Sequence, residues 1–238
     1  RRALNVEGAI RSGMVCQGLI GSALAGAATY AMTQSPREAR NRMTAMLGDL
    51  GSSLAGLDLQ VDGRRFLEAA RPAVFVFNHQ SYMDAVILAQ LLRHDVTAFC
   101  KQELASNPII GPYMRAHGAI FTDRKDRAAA RAQLRSAANL IQSGRSVAIA
   151  PEGTRSNTEE LGAFKRGAFI LARKAEVPVV PVVLHNSGDV LPKGKLCINP
   201  TTVRVTVLPP TNLHDCSHLD FTARIGNLEQ KYREALAV

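Results

Sequence analysis

Asn78-His79-Gln80-Ser81-Tyr82-Met83-Asp84 is the stretch on which the reading of the fold turns. Before it runs Ala73-Val74-Phe75-Val76-Phe77, an apolar segment of β-branched and aromatic residues that predicts a buried strand. After it runs Ala85-Val86-Ile87-Leu88-Ala89-Gln90-Leu91-Leu92, which predicts a buried helix. Ser81 is placed to cap that helix, and Asp84 stands where a carboxylate favours the first turn. His79 then lies just outside the helix at the mouth of a sheet, where open α/β folds hold their ligands. A histidine held by an acid at such a mouth predicts a general base.

Outward from this segment the α/β pattern repeats. Candidate strands are Leu57–Val61, Ala73–Phe77, Val96–Cys100, Ala119–Thr122, Ser146–Ala150, Val179–Leu184 and Val203–Val207. Helical stretches separate several of them: Ser81–Leu92, Asn107–His117, Arg127–Gln142 and Arg166–Ala175, with an amphipathic helix at about His218–Leu236 to finish. Such alternation predicts a mostly parallel sheet flanked by helices. Pro178 and Pro181 predict that a strand begins or bulges there.

Residues 14–32 are mostly apolar and uncharged, about long enough to span a bilayer as one helix, yet only weakly hydrophobic because Gly and Ala are frequent. Gly18, Ser22 and Gly26, at four-residue spacing, leave room for a second helix to approach closely. Ser35-Pro36-Arg37-Glu38 starts that second helix: a cap, a proline at the first position and an acid at the third. The expected organisation is therefore a membrane-associated helical hairpin over residues 1–54 and an α/β domain over residues 55–238.

The chain has 238 residues and a formal net charge of +9. Residues 1–114 carry +2, residues 115–174 carry +7 and residues 175–238 carry 0, so one middle stretch makes most of the positive field. That field attracts phosphate esters, acidic lipid surfaces, acidic carriers or nucleic acid. Cys16, Cys100, Cys197 and Cys216 show no C-x-x-C spacing, which points to a reducing compartment without structural zinc. His214, Cys216 and His218 lack a recognised ligand spacing, so no metal is expected. The chain begins without Met, and its Arg-rich start leads into a stretch broken by Gln17 and several Gly, which is not the pattern of a cleavable signal peptide.

Three further segments follow strands and open at the same end of the sheet as His79: Gly118-Ala119-Ile120-Phe121-Thr122-Asp123-Arg124, Pro151-Glu152-Gly153-Thr154-Arg155-Ser156, and Val177-Pro178-Val179-Val180-Pro181. In this order the four blocks resemble the glycerolipid acyltransferases of the PlsC type. The H-x4-D signature is met by His79 and Asp84, the glycine-aromatic-Asp-Arg block by Gly118, Phe121, Asp123 and Arg124, and E-G-T-R-S by Glu152 to Ser156. The proline-containing block is met by Val177 to Pro181. The resemblance covers roughly residues 55–210. H-x4-D alone is a weak signal; four ordered blocks along one sheet are a strong one. VFNHQSYMDAVIL, IAPEGTRS and LGAFKRGAF are also similar to the acyltransferase part of bacterial phosphatase–acyltransferase fusions. No D-x-D-x-[TV] phosphatase motif occurs in this chain.

The resemblance implies transfer of a fatty acyl group from an acyl thioester to the hydroxyl of lysophosphatidic acid. It implies no cofactor, with acyl-coenzyme A or an acyl-carrier-protein thioester as co-substrate. An alcohol is a poor nucleophile at neutral pH and needs a base beside its proton. His79 fills that role, with Asp84 fixing the tautomer and stabilising the imidazolium, which is the His–acid half of serine-protease logic with the substrate's oxygen in place of serine. Backbone amides near the helix start after His79, or near Gly153, are expected to receive the oxyanion. Arg124 and Arg155 are the expected phosphate ligands, because a guanidinium fork matches phosphate oxygens. Lys101 and Lys165 are supporting cations. Glu152 is expected to bond a glycerol hydroxyl or to orient Arg155, Gly153 to let backbone approach the ligand, and Thr154 and Ser156 to bind substrate or to cap the loop. His94, His117 and His185 read as structural or surface residues. Thr122 stands where the family often has an aliphatic residue.

Two other readings keep part of this. One retains the chemistry on another acceptor: glycerol-3-phosphate, a different lysophospholipid or a glycolipid. The other is a basic phospholipid-binding module without turnover. Nucleic-acid binding explains the charge but not His79, Asp84 or Glu152. The expected partners are anionic phospholipids, the lysophospholipid and the thioester carrier, at the cytoplasmic face of the cell membrane, peripheral or monotopic.

Overall fold

A computed structural model describes residues 6–123, 126–155 and 161–237. Helices α1 (Val6–Thr33) and α2 (Pro36–Ala55) precede β1 (Leu57–Asp62), the short α3 (Phe66–Ala69) and β2 (Val74–Phe77). Then come α4 (Asp84–Leu92), β3 (Val96–Lys101), a 3-10 turn at Gln102–Ser106, α5 (Ile110–His117) and β4 (Ile120–Thr122). α6 (Arg127–Gln142), β5 (Ser146–Ile149), α7 (Gly167–Ala175), β6 (Val179–Leu184), α8 (Ser187–Val190), β7 (Thr201–Val207) and α9 (His218–Leu236) complete the described elements.

The strands form one sheet in the order β1-β7-β6-β2-β5-β3-β4. The run from β6 to β4 is parallel; β7 joins β6 antiparallel and carries β1 beside it. Alternation along β2 explains the layering. Phe75 and Phe77 point into one core with Ile87, Leu88 and Leu91 of α4. Val74 and Val76 point into the other, with Phe169 and Leu171 of α7 and Phe221 and Leu228 of α9. Helices therefore cover both faces, as a central parallel sheet requires.

Adjacent strands β2 and β5 send their chains in opposite directions. β2 passes through α4 to reach β3, and β5 passes through α7 to reach β6, on opposite faces of the sheet. The two connections diverge and leave a crevice at the carboxyl ends of β2 and β5, the switch point at which such sheets bind ligands. Pro181 sits inside β6 and neither starts nor bulges it. Its missing N–H falls just before the β7 ladder begins at Val182↔Val207, and its carbonyl still accepts from the Leu208 N–H at 2.9 Å.

The first two helices pack along their length. Ser35 accepts from the Glu38 N–H with Pro36 opening α2. Gly18, Ser22 and Gly26 form the buried edge of α1, and a Cβ on Gly18 would come 3.3 Å from Leu54 Cδ1. On its other side α2 meets α4: a Cβ on Gly48 would lie 2.5 Å from Gln90 Cα, and one on Gly51 2.7 Å from Val86 Cγ1. α1 is long and apolar enough, by length and composition, to cross a membrane. Ile10, Ile20, Leu24, Tyr30 and Met32 are exposed along it.

Candidate active site

Asp84 organises the turn that follows β2. Its buried Oδ2 accepts from three N–H groups: His79 Nδ1 at 2.6 Å, the Gln80 amide at 2.9 Å and the Ser81 amide at 3.0 Å. One carboxylate thus shapes the loop and sets the imidazole, leaving Nε2 as the ring nitrogen for the cavity that His79 lines. Helix α4 starts at Asp84, not at Ser81 as the sequence predicts. The reason is that Asp84 draws the preceding amides back into a turn. Ser81 caps that turn instead: its Oγ accepts from the Met83 N–H at 3.2 Å and donates to the Leu191 carbonyl at 3.0 Å. Phe77 packs edge-on to the imidazole, with ring centroids 5.7 Å apart.

Beside the crevice, polar side chains tie β2 to β6. The buried Asn78 amide donates to the Leu184 carbonyl (2.7 Å) and accepts from the Leu184 N–H (2.8 Å), acting as one more rung between β2 and β6. Just before it, the Tyr232 hydroxyl of α9 lies between the same strands, donating to the Val76 carbonyl at 2.5 Å and accepting from the Val182 N–H at 3.1 Å. Burial pushes this phenol well up from its ordinary value.

Glu152 lies in the loop that follows β5. Its oxygens accept from the His79 N–H at 2.8 Å and the Gly162 N–H at 2.9 Å, so both carboxylate oxygens are engaged by backbone. Burial pushes its carboxyl up, against the opposing pull of those two N–H groups. Glu152 therefore ties the β5 loop to the β2 loop across the switch point. Several amides near the expected oxyanion site are already bonded: those of His79, Gln80, Ser81 and Met83 as above, and the Gly153 N–H to the Ala150 carbonyl.

His79 and Asp84 open into a cavity of about 470 Å³. Lys101, Gly153, Thr154, Arg155 and Lys165 line it too, so the structure brings these predicted residues to one place. Arg124 and Ser156 lie outside the described residues. Gly153 has φ 75°, which favours glycine, and a Cβ there would come 2.7 Å from the flexible end of Lys165 at Nζ, which would have to shift. Arg155 stacks its guanidinium 3.6 Å from the centroid of the Tyr82 ring. The sequence reading missed Lys193, which comes from the turn after α8 and carries no motif. It also missed the apolar wall: Leu88 of α4, Ala98 and Cys100 of β3, Leu104, Met114 of α5 and Leu134 of α6. Those residues look like ordinary core until the fold leaves a space between them.

The family model described as Acyltransferase matches residues 58–185, which contain the turn, the Glu152 clamp and most of the cavity. The chain belongs to the acyltransferase family, of the PlsC type.

Among similar acyltransferases is the 1-acyl-sn-glycerol-3-phosphate acyltransferase of Saccharomyces cerevisiae, 32% identical over 186 residues, covering 77% of this chain and 60% of that protein. The beta form from Homo sapiens is 35% identical over 75% of this chain and 64% of its own length. The chloroplastic LPAT1 of Arabidopsis thaliana is 39% identical over 58% and 39%. The chain thus spans less than two thirds of the length of these curated relatives. The crystal structure of the LPA acyltransferase PlsC from Thermotoga maritima superposes with a TM-score of 0.74, at 21% identity, over 95% of this chain and 97% of that one. Shared fold therefore extends over the first two helices as well as the sheet. Lys193 and Tyr232 both lie beyond the stretch matched by the acyltransferase family model.

Proposed function

We propose that the chain transfers a fatty acyl group from an acyl thioester to the free hydroxyl of lysophosphatidic acid, making phosphatidic acid. The observation that carries this reading is the His79 Nδ1–Asp84 Oδ2 contact of 2.6 Å in a cavity lined by both cationic and apolar side chains. The names of the curated relatives supply the substrate.

In this scheme the acceptor's phosphate meets Arg155, with Lys101, Lys165 and Lys193 adding charge, and Arg124 is retained as a second ligand from the sequence pattern. The acyl chain lies along Leu88, Leu104, Met114 and Leu134. His79 Nε2 takes the hydroxyl proton as the oxygen attacks the thioester carbonyl. The tetrahedral intermediate collapses, the carbon–sulfur bond breaks, and the imidazolium returns its proton to the leaving thiolate. Asp84 holds the ring in one tautomer and stabilises the imidazolium. No acyl-enzyme is required. The donor is coenzyme A or acyl-carrier protein, both anionic and both suited to the basic rim.

The same proposal places the protein at the cytoplasmic face of the membrane, peripheral or monotopic. Support comes from the exposed apolar residues of α1 and the net charge of +9, which favours anionic lipid surfaces. The test pairs purified protein with acyl-coenzyme A or acyl-carrier protein and a lysolipid panel, reading thiol release and product mass. Phosphatidic acid is expected from wild type, and His79→Ala should lower the rate about 10²–10⁴-fold. Wild-type protein that releases no thiol with any lysolipid overturns the proposal.

A further inference from the structure

Tyr82 has no role in the chemistry above, yet it is placed unlike its neighbours. Within the turn, Ser81 and Met83 are buried, whereas Tyr82 is 59% exposed. A large ring left in solvent on a tightly bonded turn is unusual, and Arg155 gives it a purpose. The guanidinium carbon lies 3.6 Å from the ring centroid, well inside the range at which a cation is held by an aromatic face. Among the described residues, Arg155 has no carboxylate and no hydrogen-bond partner.

The mode of attachment matters. A carboxylate partner would occupy the in-plane N–H donors and cancel the charge. Stacking uses the face of the guanidinium and leaves its five in-plane donors and its full charge for a ligand. The ring is mounted on anchored backbone, because its turn is fixed by Asp84 Oδ2 at Gln80 and Ser81 and by Ser81 Oγ at Met83 and Leu191. An arginine from the β5 loop is thereby registered against the β2 turn that carries His79.

We propose that Tyr82 is a positioning residue for Arg155, presenting the guanidinium edge to the phosphate of the acceptor at a distance set from His79. This rests on the reading that Arg155 binds that phosphate. The test is steady-state kinetics on the full chain with lysophosphatidic acid and an acyl thioester, for Tyr82→Phe, Tyr82→Leu, Arg155→Ala and the double variant.

Tyr82→Phe keeps the ring face and should leave KM for lysophosphatidic acid within about twofold. Tyr82→Leu should raise that KM by about fivefold, the upper worth of one exposed cation–ring contact, with KM for the thioester unchanged. In the Arg155→Ala background the same change should add nothing, because the group it positions is gone. If Arg155→Ala raises the acceptor KM but Tyr82→Leu does not, the positioning role fails and the function stands. An effect of Tyr82→Leu that persists in the double variant likewise overturns the positioning role. If Arg155→Ala leaves the acceptor KM unchanged, the phosphate assignment fails and the positioning role with it.

Discussion

At the scale of single residues, the site is built from acceptors that serve backbone and side chain together. Asp84 takes three N–H groups on one oxygen, and Glu152 takes one backbone N–H on each of its two. Glu152→Gln turns one of those contacts into a donor facing a donor. The expected cost is about 1–3 kcal/mol of stability in urea unfolding, together with a fall in kcat as the His79 backbone loses its anchor. His79 and Asp84 were legible because five residues of separation close within one turn, so local spacing was enough. The partner of Glu152 was not, because it is a main-chain amide 73 residues away, and amides leave no mark in sequence. Lys193 was invisible for a related reason: only the path of the chain after α8 brings it to the cavity.

Among the elements, the seven strands were legible from apolar runs bounded by turn residues, and their positions agree with expectation to within two residues at each end. Their order was not, because β-branched runs specify burial and not neighbours. The pairing of β7 antiparallel to β6 is a property of the assembled sheet. The Gly18-Ser22-Gly26 spacing did announce a close helix contact, and it is buried against α2. The contact of α2 with α4 links that pair to the site, since α4 begins with Asp84. Gly51→Leu would drive a side chain into Val86. The expected loss is about 1–3 kcal/mol from overpacking, with kcat reduced alongside, read by urea melts and initial rates on one preparation. Unchanged kcat in a destabilised Gly51→Leu protein would show that α4 holds Asp84 without help from α2.

For the molecule as a whole, the joints between the first two helices and the sheet are sensitive to acid. Arg37 of α2 bonds Asp95 before β3 and, aided by Asn41, holds that carboxyl at about 2, below its ordinary 3.8. His117 at the end of α5 meets Thr44 of α2 at 2.8 Å. Burial first, then Arg145 and Arg40, depress its pKa from 6.5 to about 4. The unfolded chain takes up the histidine proton first, so stability falls as pH drops from 6.5 toward 4. Asp95 contributes fully above 3.8, and its contribution is lost as pH falls through about 2. His117→Gln should flatten urea midpoints between pH 6.5 and 4, removing a slope worth at most about 3 kcal/mol, while leaving the decline at lower pH in place. Tyr232 carries a different lesson at this scale. The stretch that names the family ends at residue 185, yet the hydroxyl that bridges β2 and β6 comes from α9. A fragment trimmed to the family boundaries would keep His79, Asp84 and Arg155 while losing the hydroxyl that bridges the Val76 carbonyl and the Val182 N–H beneath them.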